Sequence, residues 1–150
     1  MPTGARLVSA IYFAFFTYVA AHLVHSIFEA EIGYELQWGN MKEITAGIGL
    51  FVGWFVMGSR AGEGMNYAVQ GGILSSVSVV FWGIVLWSVV EMVTESMKMK
   101  YRGAPEAVVD TFRIALEYGA TIGTFGFIAT MLVGGIIGGW IAEQTARRST

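Results

Sequence analysis

His22 and His25 are the only histidines of the chain, and there is no cysteine. Thiolate metal sites, disulfides and thiol redox chemistry are therefore excluded within this chain, and any reactive centre must be built from imidazole, carboxylate or hydroxyl groups. On a helix, His22 and His25 share an arc of about 60° with Tyr18 and Glu29. Ser88, Glu91 and Glu95 form a second stripe at helical spacing further along. Neutral imidazole and carboxylate oxygen suit a divalent ion. If the two stripes stood at the same end of neighbouring helices, His22, His25, Glu29, Glu91 and Glu95 could converge on one. Met92, Met97 and Met99 beside the second stripe would extend the choice to a soft ion such as Cu(I). The plainer reading, and the one adopted, is that these groups lie within two turns of water and are hydrated or hydrogen-bonded there. No cofactor is predicted, a divalent metal is the minor alternative, and no catalytic residues are assigned.

The elements that carry these groups are membrane helices. Of 150 residues, 55% are hydrophobic and 13% charged, and the mean hydropathy of +0.60 is far from that of a soluble domain this size. Four spans are expected, at about 7–28, 43–57, 66–95 and 121–145, within a single all-α transmembrane domain covering 1–150. The apolar run after Arg6 is longer and more aromatic than a cleaved signal, so it reads as the first span. Residues 29–41, with Glu29, Glu31, Glu35 and Trp38, form a polar connection. The second span is short and the third so long that it must tilt or project. Between the basic segment Ser96–Gly103 and the last span, Pro105 and Glu106 open an amphipathic helix over about 105–119. Its Glu106, Asp110, Arg113 and Glu117 share one arc, opposite Val108, Phe112 and Leu116, as in a helix lying in the membrane interface. Arg113 has the spacing to pair with both Asp110 and Glu117. Gly119, Gly123 and Gly126 are expected to bend the chain from that helix into the last span.

Even helix number puts both termini on one face, taken to be cytoplasmic. Lysine and arginine do not decide this: four lie on the terminal face and five on the other. The net charge of −2 gives no electrostatic footprint for nucleic acid. No ionisable residue falls in the middle third of any span, and Ser75, Ser76, Ser78 and Thr130 are the most central polar groups. Pumps and secondary transporters need charge or broken helices there.

The segment Gly47–Gly64, GIGLFVGWFVMGSRAGEG, ends one span and turns the chain straight into the next. Its Gly49 and Gly53, and later Gly134, Gly135, Gly138 and Gly139, make smooth grooves for close helix packing. They could serve self-association, a protein partner, or contact between the last span and the second. This segment, together with VFWG (Val80–Gly83), Glu91–Met92, YRGAPEA (Tyr101–Ala107), EYG (Glu117–Gly119) and LVGG (Leu132–Gly135), resembles the TrgA family of tellurite-resistance membrane proteins of alphaproteobacteria. The likeness runs from Gly47 to Arg148. It implies a small inner-membrane protein linked to tellurite resistance, with no catalytic residues to carry over. The chain departs from the family where a proline is expected before the last span and Gly123 and Gly126 stand instead. The expected function is a non-catalytic accessory or scaffolding component of a larger respiratory or photosynthetic assembly. The alternatives are a small oligomeric channel or exporter, and a membrane metal-binding protein.

Overall fold

The computed structural model describes residues 3–32 and 39–148, and every regular element among them is helical. In chain order these are α1 (Thr3–Ile32), α2 (Met41–Val52), a π turn (Gly53–Met57), α3 (Met65–Met97), α4 (Ala104–Ile122) and α5 (Phe125–Arg148). The predicted connection carrying Glu35 and Trp38 lies outside the described residues. Three helices are long and apolar enough to cross a membrane: Gly4–Ile27, Met65–Met97 and Phe125–Arg148. The predicted second span corresponds to α2 and the π turn, of 12 and 5 residues. Together they reach roughly 25 Å at most, short of a bilayer core of about 30 Å.

Helices in lipid gain little from excluding water, so close packing must hold them together. Glycine makes that approach possible here. A methyl group on Gly49 would collide with Thr17 and the Phe13 carbonyl, and one on Gly53 would lie 2.5 Å from the Ser9 carbonyl. Gly58 meets Arg6 in the same way. As the α2 number rises the α1 number falls, so the two helices are antiparallel. A methyl on Gly135 would lie 2.7 Å from the Gly72 carbonyl, and Gly139 abuts the Ala68 carbonyl, which sets α5 antiparallel to α3. Gly134 and Gly138 instead receive the rings of Phe16 and Tyr12 from α1, and the Tyr12 hydroxyl donates to the Gly134 carbonyl at 2.9 Å. The alternative in which α5 packs on Gly49 and Gly53 is thus corrected. Those two glycines face α1, while α5 offers one pair of glycines to α3 and the alternate pair to α1. All six are used within one chain.

Five of the buried hydroxyls follow the same economy. Ser9, Thr17, Thr45, Ser75 and Ser88 each donate to the carbonyl four residues back in their own helix. This lets polar groups lie against neighbouring helices without an unmatched donor. Outer faces are apolar, with Phe15, Phe51, Phe55 and Phe81 among the exposed side chains, as suits contact with hydrocarbon.

At 33 residues α3 is about 50 Å long, beyond any bilayer core. Its far part is accompanied by α4, which returns antiparallel: Asp110 lies near Lys100 and Gly119 faces Ile84. Ile114 and Ile122 are buried, Glu106, Arg113 and Glu117 face outward, and Val108, Val109, Phe112 and Leu116 form a third, exposed apolar strip. Of the three glycines expected to bend the chain, only Gly123 stands at the break; Gly119 and Gly126 remain helical. Thr124 supplies the stop and restart, its hydroxyl accepting the Phe127 amide at 3.4 Å at the start of α5.

Replacing Gly135 by leucine should lower stability by about 1–3 kcal/mol through overpacking. A methyl at Gly83 meets open space, so Gly83→Ala should be neutral or stabilise by up to about 1 kcal/mol. Thermal melts of both variants in mild detergent check this contrast, and equal melting would show that the α3–α5 approach is not close.

Candidate functional site

The two polar stripes do not assemble. His22 is exposed, and the His25 Nδ1 lies 3.4 Å from Glu29 in its own helix. Glu91 is half-buried on α3. Glu95 is taken by the basic segment beyond it, at 2.8 Å from Lys98 and 2.9 Å from Lys100. Met97 and Met99 point outward. Among the described residues no three histidine or acidic side chains gather where one metal ion could sit.

Glu95 instead anchors a clasp over the α3–α4 turn. Lys100 also approaches Asp110, at 3.8 Å, and the Tyr101 hydroxyl donates to Asp110 at 2.5 Å. Asp110 is therefore engaged by the turn, and of its two expected partners Arg113 pairs with Glu117 alone, at 3.0 Å. Glu106 accepts the Arg102 amide at 2.9 Å and so ties the turn to the first turn of α4. Met99 sits at φ 54, a left-handed conformation uncommon for a side chain with a Cβ, which the clasp over-determines. Hydrogen bonding to Glu95 raises both lysine pKa values. The hydrogen bond to Asp110, and then burial, push the Tyr101 hydroxyl up to about 12.

Among the described residues the most deeply buried acid is one that the sequence reading did not single out. Glu143, 2% exposed, accepts the Gly62 amide at 2.9 Å with one carboxylate oxygen and pairs with Arg147 at 2.9 Å through the other. The Gly64 backbone also bears on it. Gly62 and Gly64 have φ of 94° and 118°, open to glycine and strained for other residues. This accounts for most of the polar half of the Gly47–Gly64 segment. Gly58 admits Arg6, Arg60 lies across Gly71 of α3, Ala61 is buried with Ala5 and Ala146, and Gly62 meets the carboxylate. The signal in the sequence was the i,i+4 pair Glu143–Arg147 at the end of an otherwise uncharged helix.

Toward the other end the five helices leave an apolar cavity of about 60 Å³, with Ala20, Val24, Val80, Ile84 and Met131 in its wall. Its polar edge is closed by the Trp87 indole N–H, 3.4 Å from the Thr45 hydroxyl. A wider groove of about 310 Å³ lies alongside, between α3, α4 and α5, and shares Val80, Ile84, Ile122, Phe127 and Met131 with the cavity. Comparison with protein-family models, with curated proteins and with solved structures found no match. The fold and its geometry define the class: an all-helical protein with three helices able to cross a membrane, one carboxylate-locked turn and one apolar interior.

Two outcomes follow. Glu143→Ala should destabilise by about 1–3 kcal/mol, because the Gly62 amide loses its buried acceptor, while Glu143→Gln should retain part of that bond. Melts of the two variants check the order, and equal loss would show that the negative charge rather than the acceptor matters. For Tyr101, a raised pKa means that the neutral hydroxyl contributes fully below its ordinary 10.0 and that its contribution fades as pH climbs through about 12. The phenolate absorbance difference between wild type and Tyr101→Phe should accordingly titrate near 12, and titration near 10 would dissolve the clasp.

Proposed function

We propose that the protein is a non-catalytic, multi-pass membrane component that supports a larger respiratory or photosynthetic assembly in a bacterial inner membrane. A role in tellurite resistance of the TrgA kind belongs to the same proposal and rests on the sequence likeness alone. The observation that carries it is how the buried polar groups are used. Ser9, Thr17, Thr45, Ser75 and Ser88 bond to their own helices, and Glu143 holds a turn. Polar chemistry inside the bundle thus serves architecture. The apolar wall of the central cavity speaks against the channel reading, since conduction needs a polar or charged lining. That no three histidine or acidic side chains gather among the described residues weighs against the metal-binding reading.

In this proposal α2 and the π turn form a short second crossing, made possible by local bilayer thinning and by their seat against α1. The α4 helix lies at the interface with Val108, Phe112 and Leu116 toward lipid and Glu106, Arg113 and Glu117 toward water. Both termini are cytoplasmic. A protein partner would meet the outward aromatic faces, such as Phe51 with Phe55 or Phe81 with Trp82, because the glycine grooves are filled from within.

The chain has no cysteine, so single cysteines report topology cleanly. Arg60→Cys should be labelled from the cytoplasm and Lys100→Cys from the opposite side; labelling of both from one side would defeat the four-crossing arrangement. Affinity purification in mild detergent should recover stoichiometric subunits of one membrane complex. A solitary protein recovered from cells that still show the resistance phenotype would contradict the accessory role.

A further inference from the structure

The clasp over the α3–α4 turn borders a surface pocket of about 530 Å³, with Lys100, Glu106, Val109, Asp110 and Arg113 in its lining. Two cations face two carboxylates, so the pocket is neutral as a whole and exerts no net pull on an anion. Its charged groups keep capacity for a further partner. Arg113 pairs with Glu117 through Nε at 3.0 Å, and its 73% exposed side chain leaves the guanidinium fork open to another anion. Glu106 accepts the Arg102 amide on Oε2, and Asp110 takes both the Tyr101 hydroxyl and the approach of Lys100 on Oδ2. The second oxygen of each carboxylate takes part in none of these contacts. Around α4, Arg113 stands between the polar arc of Glu106 and Asp110 and the exposed apolar strip of Val109, Phe112 and Leu116.

Depth places this surface among lipid headgroups. Met65 follows the turn with Arg60 and Glu63, and Ile84 stands roughly 28 Å farther along α3, about one hydrocarbon core away. Gly119 faces Ile84, so Leu116, Arg113, Asp110 and Glu106 follow outward from the far edge of the core in that order. A zwitterionic phospholipid runs outward in the same order: hydrocarbon, phosphate, ammonium. Arg113 lies roughly 4.5 Å from Asp110 along the axis, a spacing that the two-carbon link between phosphate and ammonium covers. We propose that the pocket binds a phospholipid of the phosphatidylethanolamine class. Its phosphate meets Arg113 and Lys100, its ammonium meets Glu106 and Asp110, and one chain lies along Val109, Phe112 and Leu116. The balanced charge gives an anionic headgroup no advantage, and a choline headgroup has no N–H to donate to the carboxylates. The proposal rests on the placement of α4 at the membrane interface.

The test reconstitutes the full-length protein in equal parts of phosphatidylethanolamine, phosphatidylcholine and phosphatidylglycerol with identical chains. The lipids that stay bound after transfer to mild detergent are then counted by native mass spectrometry. Wild type should retain phosphatidylethanolamine about three- to fivefold over each of the others, the scale of an ion pair near water. Glu106→Gln should bring phosphatidylethanolamine and phosphatidylcholine to equal retention. Arg113→Gln should lower both about three- to fivefold and leave their ratio unchanged, and both variants should melt like wild type. Equal retention of the two zwitterionic lipids by wild type, preference for phosphatidylglycerol, or a preference that survives Glu106→Gln would each overturn the site. A second readout separates this failure from that of the α4 placement. Phe112→Cys carrying a nitrobenzoxadiazole label should be quenched by lipids with a nitroxide near the top of their chains. Quenching without lipid selectivity would sink the headgroup site alone, and absence of quenching would sink the site and the interfacial placement together.

Discussion

The arrangement of this bundle depends on where one buried carboxylate finds its partners. Glu143 sits at the end of α5 with almost no exposure, and a carboxylate so placed requires charge and hydrogen bonds from its surroundings. Arg147 supplies the charge from the next helical turn, and the Gly62 amide comes from the far side of the molecule in sequence. Holding Gly62 fixes the turn between α2 and α3, and both helices are thereby registered against α5. The start of α1 joins them because Ala5 and Arg6 pack on Ala61 and Gly58. Four chain segments meet at one end through that carboxylate and a floor of alanines.

From that end the glycines of α5 carry the fit upward. Positions 135 and 139 lie against the backbone of α3, and positions 134 and 138 take aromatic rings from α1. A helix with small residues on two faces can thus lie between two neighbours at once, one by backbone approach and one by ring insertion. The Tyr12, Phe13 and Phe16 rings form a cluster, with Phe13 edge-on to both others at 5.6 and 6.2 Å. Beyond Gly134 the small residues of α5 give way to Met131 and Phe127, the neighbouring helices stand farther apart, and the space between them is only partly filled. The apolar cavity and the lateral groove are the consequence. Ser76, at the border between the tight and the loose half, lies buried against Gly135 with no hydrogen bond to its hydroxyl among the described residues.

Much of this was legible in the sequence. Uncharged windows marked α1, α3 and α5 within a few residues of their ends, and Pro105 with Glu106 marked the start of α4. The second apolar segment was legible as short, but length alone does not tell a helix that crosses from one that leans on its neighbour. The glycine positions were readable as close contacts while their partners were not, because a small-residue groove specifies approach and not address. His22, His25, Glu91 and Glu95 show the limit of the opposite kind of signal. Shared arcs on two helices say nothing about whether those arcs face each other, and Glu95 had lysines much closer in sequence. Glu143 escaped notice since its decisive partner is a backbone amide, which no residue type announces.

Amide hydrogen exchange at Gly62 measures the keystone directly. Gly62 lies in an exposed turn at the aqueous end of the bundle, where an ordinary amide would exchange quickly. With its N–H donated to the buried Glu143 carboxylate, it should instead exchange as slowly as amides inside α5, and Glu143→Ala should return it to the fast rate. Fast exchange at Gly62 in the wild-type protein, with α5 itself well protected, would contradict the account and leave the turn free of the helix that is held here to fix it.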